Sequence, residues 1–133
     1  MCGRYELKTG FPQLPEIAKK ELPKGFSQNY SPQELIKPGD PVLAIRQENS
    51  KISSSLMLWG LLAEWSKDPL NSPRPFNARA ETINSKVSFR SAWRYRRALL
   101  PATAFLEKGF RIRKRDSSPF FLAGLWNRWL GAD

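Results

Sequence analysis

RALLPATAFLEKGFRIRKR, residues 97–115, decides the fold of this 133-residue chain. Its β-branched and aromatic residues sit either side of Pro101, and it reads as two strands around a bend. Working outward, DPVLAIRQ (40–47) reads as a strand behind the turn KPGD, and KISSSLMLWGLL (51–62) as its hairpin partner. SSPFFLAGLWNRWL (117–130) is a further apolar, aromatic strand. SFRSAWRYRR (88–97) suits a short helix. LPEIAKKEL (14–22) has helical spacing, with Leu14, Ile17, Ala18 and Leu22 on one face and Pro23 as its stop. Residues 64–76, with three prolines, must be mostly loop. Eleven prolines and eight glycines cut the chain into short segments without repeats, which points to one strand-rich α+β domain over 1–133. The last strand lies close to position 133 with no later strand to pair with, so the architecture is expected to be incomplete at its C-terminus.

Charge narrows the function. Lys and Arg number 22 against 12 Asp and Glu, a formal net charge of +10. The basic residues cluster in FRSAWRYRR (89–97) and RIRKR (111–115), the first interleaved with aromatic rings. Either cluster alone is an ordinary solvated surface. Together with the global imbalance they point to nucleic acid, because a basic face concentrates and steers polyanions. No segment is apolar enough to span a membrane, and the N-terminus has no apolar signal segment. With one cysteine no internal disulfide can form, so a reducing, intracellular, cytoplasmic setting is expected. With no histidine, a zinc finger and a histidine-dependent protease are both excluded from this sequence, and no metal or cofactor is expected. Chemistry must use Cys2, carboxylates, lysines or an α-amine.

Cys2 follows the initiator methionine in MCGRY (1–5). If Met1 is removed, Cys2 carries an amine and a thiol on adjacent carbons. Such a 1,2-aminothiol condenses with an aldehyde to an imine, and the sulfur then closes a five-membered thiazolidine. With Met1 in place the nitrogen is an amide and the ring cannot form. Position alone favours an incidental small residue near a terminus.

Taken together, MCGRY (1–5), QNYSP (28–32), WGLLAEW (59–65), FNARAETI (76–83), SFRSAWRYRRALLPATAFLEK (88–108) and PFFLAGLW (119–126) resemble the SRAP family, the SOS-response-associated peptidases, over nearly the whole chain. The resemblance implies a curved, barrel-like antiparallel sheet with short flanking helices and a basic DNA groove. It implies a covalent thiazolidine link to abasic sites in single-stranded DNA, and removal by the protein of residues ahead of its own cysteine. It assigns the nucleophile to Cys2, a supporting hydrogen bond to Asn77 and proton transfer to Glu107. Arg4 and Arg79 fall at phosphate-binding positions, with Arg90 and the arginines at 94, 96 and 97 as additions. Pro32 and Trp65 fall where the family places an apolar wedge against DNA bases; Trp59 reads as core. The alternative reading is a noncovalent single-stranded nucleic-acid-binding module in which the basic clusters and aromatics act and Cys2 is incidental.

Three departures stand out. ATAFLEK (102–108) has Ala104 where relatives have glycine and Lys108 where they have tryptophan; Ser66 replaces a second wedge aromatic; and no histidine-containing downstream segment is present. Lower stability, dimerisation through an exposed strand edge and impaired crosslinking are the expected results.

Overall fold

The computed structural model describes residues 2–131. Eight strands form two antiparallel four-stranded sheets. The first has the order β2-β1-β6-β7 and the second β4-β3-β5-β8. In chain order the strands are β1 (Arg4–Leu7), β2 (Gln33–Ile36), β3 (Pro41–Glu48), β4 (Lys51–Leu58), β5 (Arg97–Ala102), β6 (Ala104–Glu107), β7 (Phe110–Ile112) and β8 (Phe120–Leu125). Among the described residues there are two short α-helices, α1 (Phe26–Asn29) and α2 (Arg90–Tyr95), besides two 3-10 turns, and the architecture is α+β as expected. The sheets are joined at Thr103 but do not close into a barrel.

The 97–115 stretch makes three strands rather than two. Thr103 turns the chain from β5 into β6, its amide donating to the Glu6 carbonyl at 2.8 Å. A second reversal at Lys108 and Gly109, both with positive φ (50° and 82°), opens β7. A non-glycine residue followed by glycine, both left-handed, is the chemistry of a two-residue hairpin, so Lys108 serves the turn. Asn49 and Ser50, also at positive φ, make the equivalent turn between β3 and β4. That hairpin pairs Pro41 with Leu58 through to Glu48 with Lys51, and it ends four residues sooner than the 51–62 reading.

The expected helix over 14–22 shrinks to one 3-10 turn at Glu16–Lys19. Pro15 starts it, and the carbonyl of Lys20 instead accepts a hydrogen bond from the Ser54 amide at 3.0 Å, which pulls the chain into extended form. Leu14 and Ala18 are nonetheless buried, as the apolar spacing requires. The main core joins both sheets through Tyr5, Leu7, Ile36, Leu43, Ile45 and Ala102, and residues 64–76 are irregular as read.

Candidate active site

Pairing of β1 with β6 places Arg4 opposite Leu106 and Tyr5 opposite Phe105. Continued by one step, that register sets Gly3 beside Glu107, so the residue just ahead of β1 and the last residue of β6 share one end of the first sheet. Asn77 approaches from the irregular segment after β4. Its Nδ2 donates to the carbonyl oxygen of Cys2 at 2.6 Å across 75 residues of sequence. The structure therefore brings Cys2, Asn77 and Glu107 together. Met1 lies outside the described residues, and so does any statement about its removal. Half-burial raises the Cys2 thiol above its ordinary range, and the negative charge of Glu107 pushes the same way. The thiol donates to the Arg4 carbonyl at 3.1 Å.

An aromatic stack, seen in the sequence only as a core Trp59, holds Asn77 in place. Trp59 packs edge-on against Tyr5 (centroids 5.4 Å apart) and Phe76 (6.0 Å), and its Nε1 donates to the Phe76 carbonyl at 2.9 Å. Leu61 donates its amide to Pro75 at 2.8 Å. The 59–61 and 75–77 segments are thus fastened side by side, which delivers Asn77 to Cys2. The signal was present as an aromatic residue immediately before Asn77 and a tryptophan before Gly60, whose φ of 129° only glycine adopts without strain. Burial also lifts the Tyr5 hydroxyl well above its ordinary pKa, so Tyr5 stays neutral.

The remaining predicted site residues lie around this cluster rather than in it. Cys2 and Asn77 line a cavity of about 970 Å³, whose walls do not include Arg4, Pro32, Trp65, Arg79 or Arg90. Arg4 and Arg79 are exposed, as is Pro32 just before β2. Trp65 is 63% exposed on the irregular segment, a large ring held out to solvent. Ser66 beside it is buried, hydrogen-bonded to Ser72 and accepting from Trp129 Nε1 at 2.7 Å, so it braces the loop. Arg90 and Arg94 border a shallower hollow of about 460 Å³ with Trp93 and Tyr95. Arg97 lies flat over Trp93, 3.7 Å from its ring centre. Arg96 differs from its neighbours. It pairs with Glu64 at 2.6 Å and donates to the Trp126 carbonyl and Asn127 Oδ1, and is committed to the fold. Among the described residues no group of histidine, cysteine, aspartate or glutamate could hold a metal ion, and no helix is long and apolar enough to cross a membrane.

The family model for the SOS response associated peptidase (SRAP) matches residues 1–133. The chain belongs to the SRAP family. Two Bacillus subtilis proteins named abasic site processing protein, YoaM and YoqW, are each 32% identical to it across 97% of this chain. This SRAP chain spans 60% of the length of the first and 61% of the second. Crystal structures from Bacteroides thetaiotaomicron (TM-score 0.76, 21% identity) and Bordetella bronchiseptica (0.73, 22%) share the fold. They cover 99% and 98% of this chain, which in turn covers 62% and 66% of theirs.

Proposed function

We propose that this SRAP protein binds abasic sites in single-stranded DNA and, once Met1 is removed, forms a covalent thiazolidine crosslink through Cys2 that shields the lesion. The observation that carries this reading is the Asn77–Cys2 hydrogen bond, with Glu107 acting on the same thiol. A bond to the backbone carbonyl of the cysteine fixes the orientation of the residue while leaving its nitrogen and sulfur to react. The free α-amine, with an ordinary pKa of about 7.7–8.0, attacks the C1′ aldehyde of the ring-opened sugar. The carbinolamine loses water to an imine; Sγ then adds to the imine carbon as the thiol proton passes to the imine nitrogen. One water is lost overall. Because the thiol is held protonated, the ring closure needs a base at the sulfur, and Glu107 is the carboxylate beside it. The same carboxylate is suited to moving the proton that opens the sugar ring, and self-removal of Met1 is proposed for the same cluster.

Arg4, Arg79 and Arg90 are proposed to hold phosphates, and Pro32 with Trp65 to stack against a base and splay the strand. A DNA substrate implies work inside the cell. The test is to incubate protein with a verified N-terminal cysteine with a single-stranded oligonucleotide bearing one abasic site. A denaturation-resistant adduct that Cys2→Ala abolishes is expected. The burial that raises the Cys2 thiol favours one other reading, a noncovalent single-strand binder; binding without any adduct would establish it.

A further inference from the structure

Trp65 is held out to solvent on a segment without regular secondary structure, yet that segment is tied down at every second residue. The Leu62 carbonyl accepts from Asn127 Nδ2 at 3.1 Å, the Glu64 carboxylate pairs with Arg96 at 2.6 Å, and the Ser66 carbonyl accepts from Trp129 Nε1 at 2.7 Å. The Ser66 amide donates to the Ala63 carbonyl at 3.1 Å, closing a turn with Glu64 and Trp65 at its centre. Arg96 is the hub of these ties. Its Nε donates to the Trp126 carbonyl at 3.1 Å and to Asn127 Oδ1 at 3.0 Å, and its Nη2 reaches Ser91 on α2 at 3.0 Å besides Glu64. A lone ion pair to a half-exposed carboxylate adds little. A guanidinium bonded to four partners does more, because its planar fork fixes direction as well as distance. One side chain thus joins the start of α2, the chain after β8 and the turn that carries Trp65. A loop fixed for stability alone would turn its largest apolar ring inward, whereas here the flanking residues are fixed and the ring is left out. That is what base stacking needs, since a ring already in place loses little conformational freedom on binding.

We propose that Arg96, together with Glu64 and Trp129, is a positioning residue for DNA: a clamp that holds the Trp65 ring ready to stack and sets its spacing from Arg90, the neighbour of Ser91. This rests on the reading of Trp65 as a base-stacking ring and Arg90 as a phosphate contact. It takes Arg96 out of the phosphate-binding set in which WRYRR (93–97) alone would place it; the Arg96 side chain is only 19% exposed. Charge gives the clamp a distinctive sign. Glu64 is an anion on the same turn as the stacking ring, so removing its charge strengthens DNA binding if electrostatics alone rules. If Glu64 anchors the turn to Arg96, removing that charge weakens binding instead.

The test measures binding of a single-stranded oligonucleotide with one abasic site by protein carrying Cys2→Ala, so that no adduct forms. Glu64→Gln and Trp129→Phe are each made with and without Trp65→Ala, as two double-mutant cycles. Trp65→Ala alone is expected to weaken binding about fivefold or more. Glu64→Gln and Trp129→Phe should each weaken it about threefold or more while the Trp65 ring is present. Once Trp65 is alanine, either change should shift binding by less than about 1.5-fold. Loss of folded protein would weaken binding equally in both backgrounds, so the cycles separate positioning from stability. Unchanged or tighter binding by Glu64→Gln, or losses of equal size with and without the ring, overturns the clamp and leaves Trp65 as a stacking residue. Trp65→Ala without effect overturns the stacking reading and the clamp together. Neither result touches the adduct test of Cys2, which reads crosslinking rather than binding.

Discussion

In the first sheet the buried polar groups answer one another, whereas beside the second a buried indole N–H finds no partner among the described residues. Glu6, on β1 and only 5% exposed, accepts hydrogen bonds from Nε and Nη2 of Arg111 on β7. The Thr103 hydroxyl donates to it as well, while accepting the Lys8 amide at 3.0 Å. That network locks β1, β6 and β7 together from behind, and its front end carries Cys2 and Glu107. Just after β8, Trp126 Nε1 has no hydrogen-bond partner among the described residues, and Leu58 on β4 is 60% exposed. The difference teaches that the strand ends carrying Cys2 and Glu107 belong to the sheet whose buried polar groups are satisfied, while Asn77 is delivered from the irregular segment after β4.

The comparison places the proposed chemistry at the end of the first sheet and separates it from packing in the second. Cys2→Ala should abolish the denaturation-resistant adduct outright while leaving the thermal midpoint within about 1 °C, since a partly exposed terminal side chain contributes little packing. A variant that still forms adduct breaks the assignment. Glu6→Gln should cost about 2–3 kcal/mol by denaturant unfolding, because it strips the buried partner of a half-exposed Arg111. Its pH signature has a definite sign. Arg111 holds the Glu6 carboxyl below its ordinary pKa. The stabilisation is therefore present above the unfolded carboxylate pKa of about 4.3 and is lost as pH falls through the lower folded value. The parent should lose stability on acidification below about pH 4.5, and Glu6→Gln should show a flatter profile.

Trp65→Ala tests the surface ring. It should weaken binding to single-stranded DNA by about 1–3 kcal/mol without moving the unfolding midpoint. The smallest effect belongs to the second sheet. A methyl at Gly124 would run into Cδ1 of Leu100 on the neighbouring strand. Gly124→Ala should cost about 1–2 kcal/mol in unfolding and leave the adduct yield unchanged; a loss of adduct with no loss of stability would show that the two sheets are not separable.

What was legible in the sequence follows the same line. Strand pairing within this hairpin could be read, because 40–47 and 51–62 declare themselves by pattern, although the second strand stops at Leu58. The 14–22 helix was misread because Leu14, Ile17 and Ala18 have the period of a helix, while a hydrogen bond from distant Ser54 sets the backbone. Periodicity cannot report a partner 34 residues away. Cys2, Asn77 and Glu107 were assigned through their flanking motifs; local chemistry singled out only Cys2, through its adjacent amine and thiol. The β1–β6 register and the Trp59 stack that bring them together are tertiary facts. Arg96 was indistinguishable from Arg94 and Arg97 in WRYRR, and only the fold shows it turned inward to Glu64.

The β1–β6 pairing, Arg4 to Leu106, spans about a hundred residues and sets a timetable as well as a shape. A chain emerging at about 5–20 residues per second cannot offer β6 to β1 until roughly 5–20 s after β1 itself is made. For that interval the cysteine end of β1 has neither its glutamate nor, until Asn77 follows, its asparagine. If Met1 is removed by this cluster, as proposed, its removal has to wait until β6 has paired with β1.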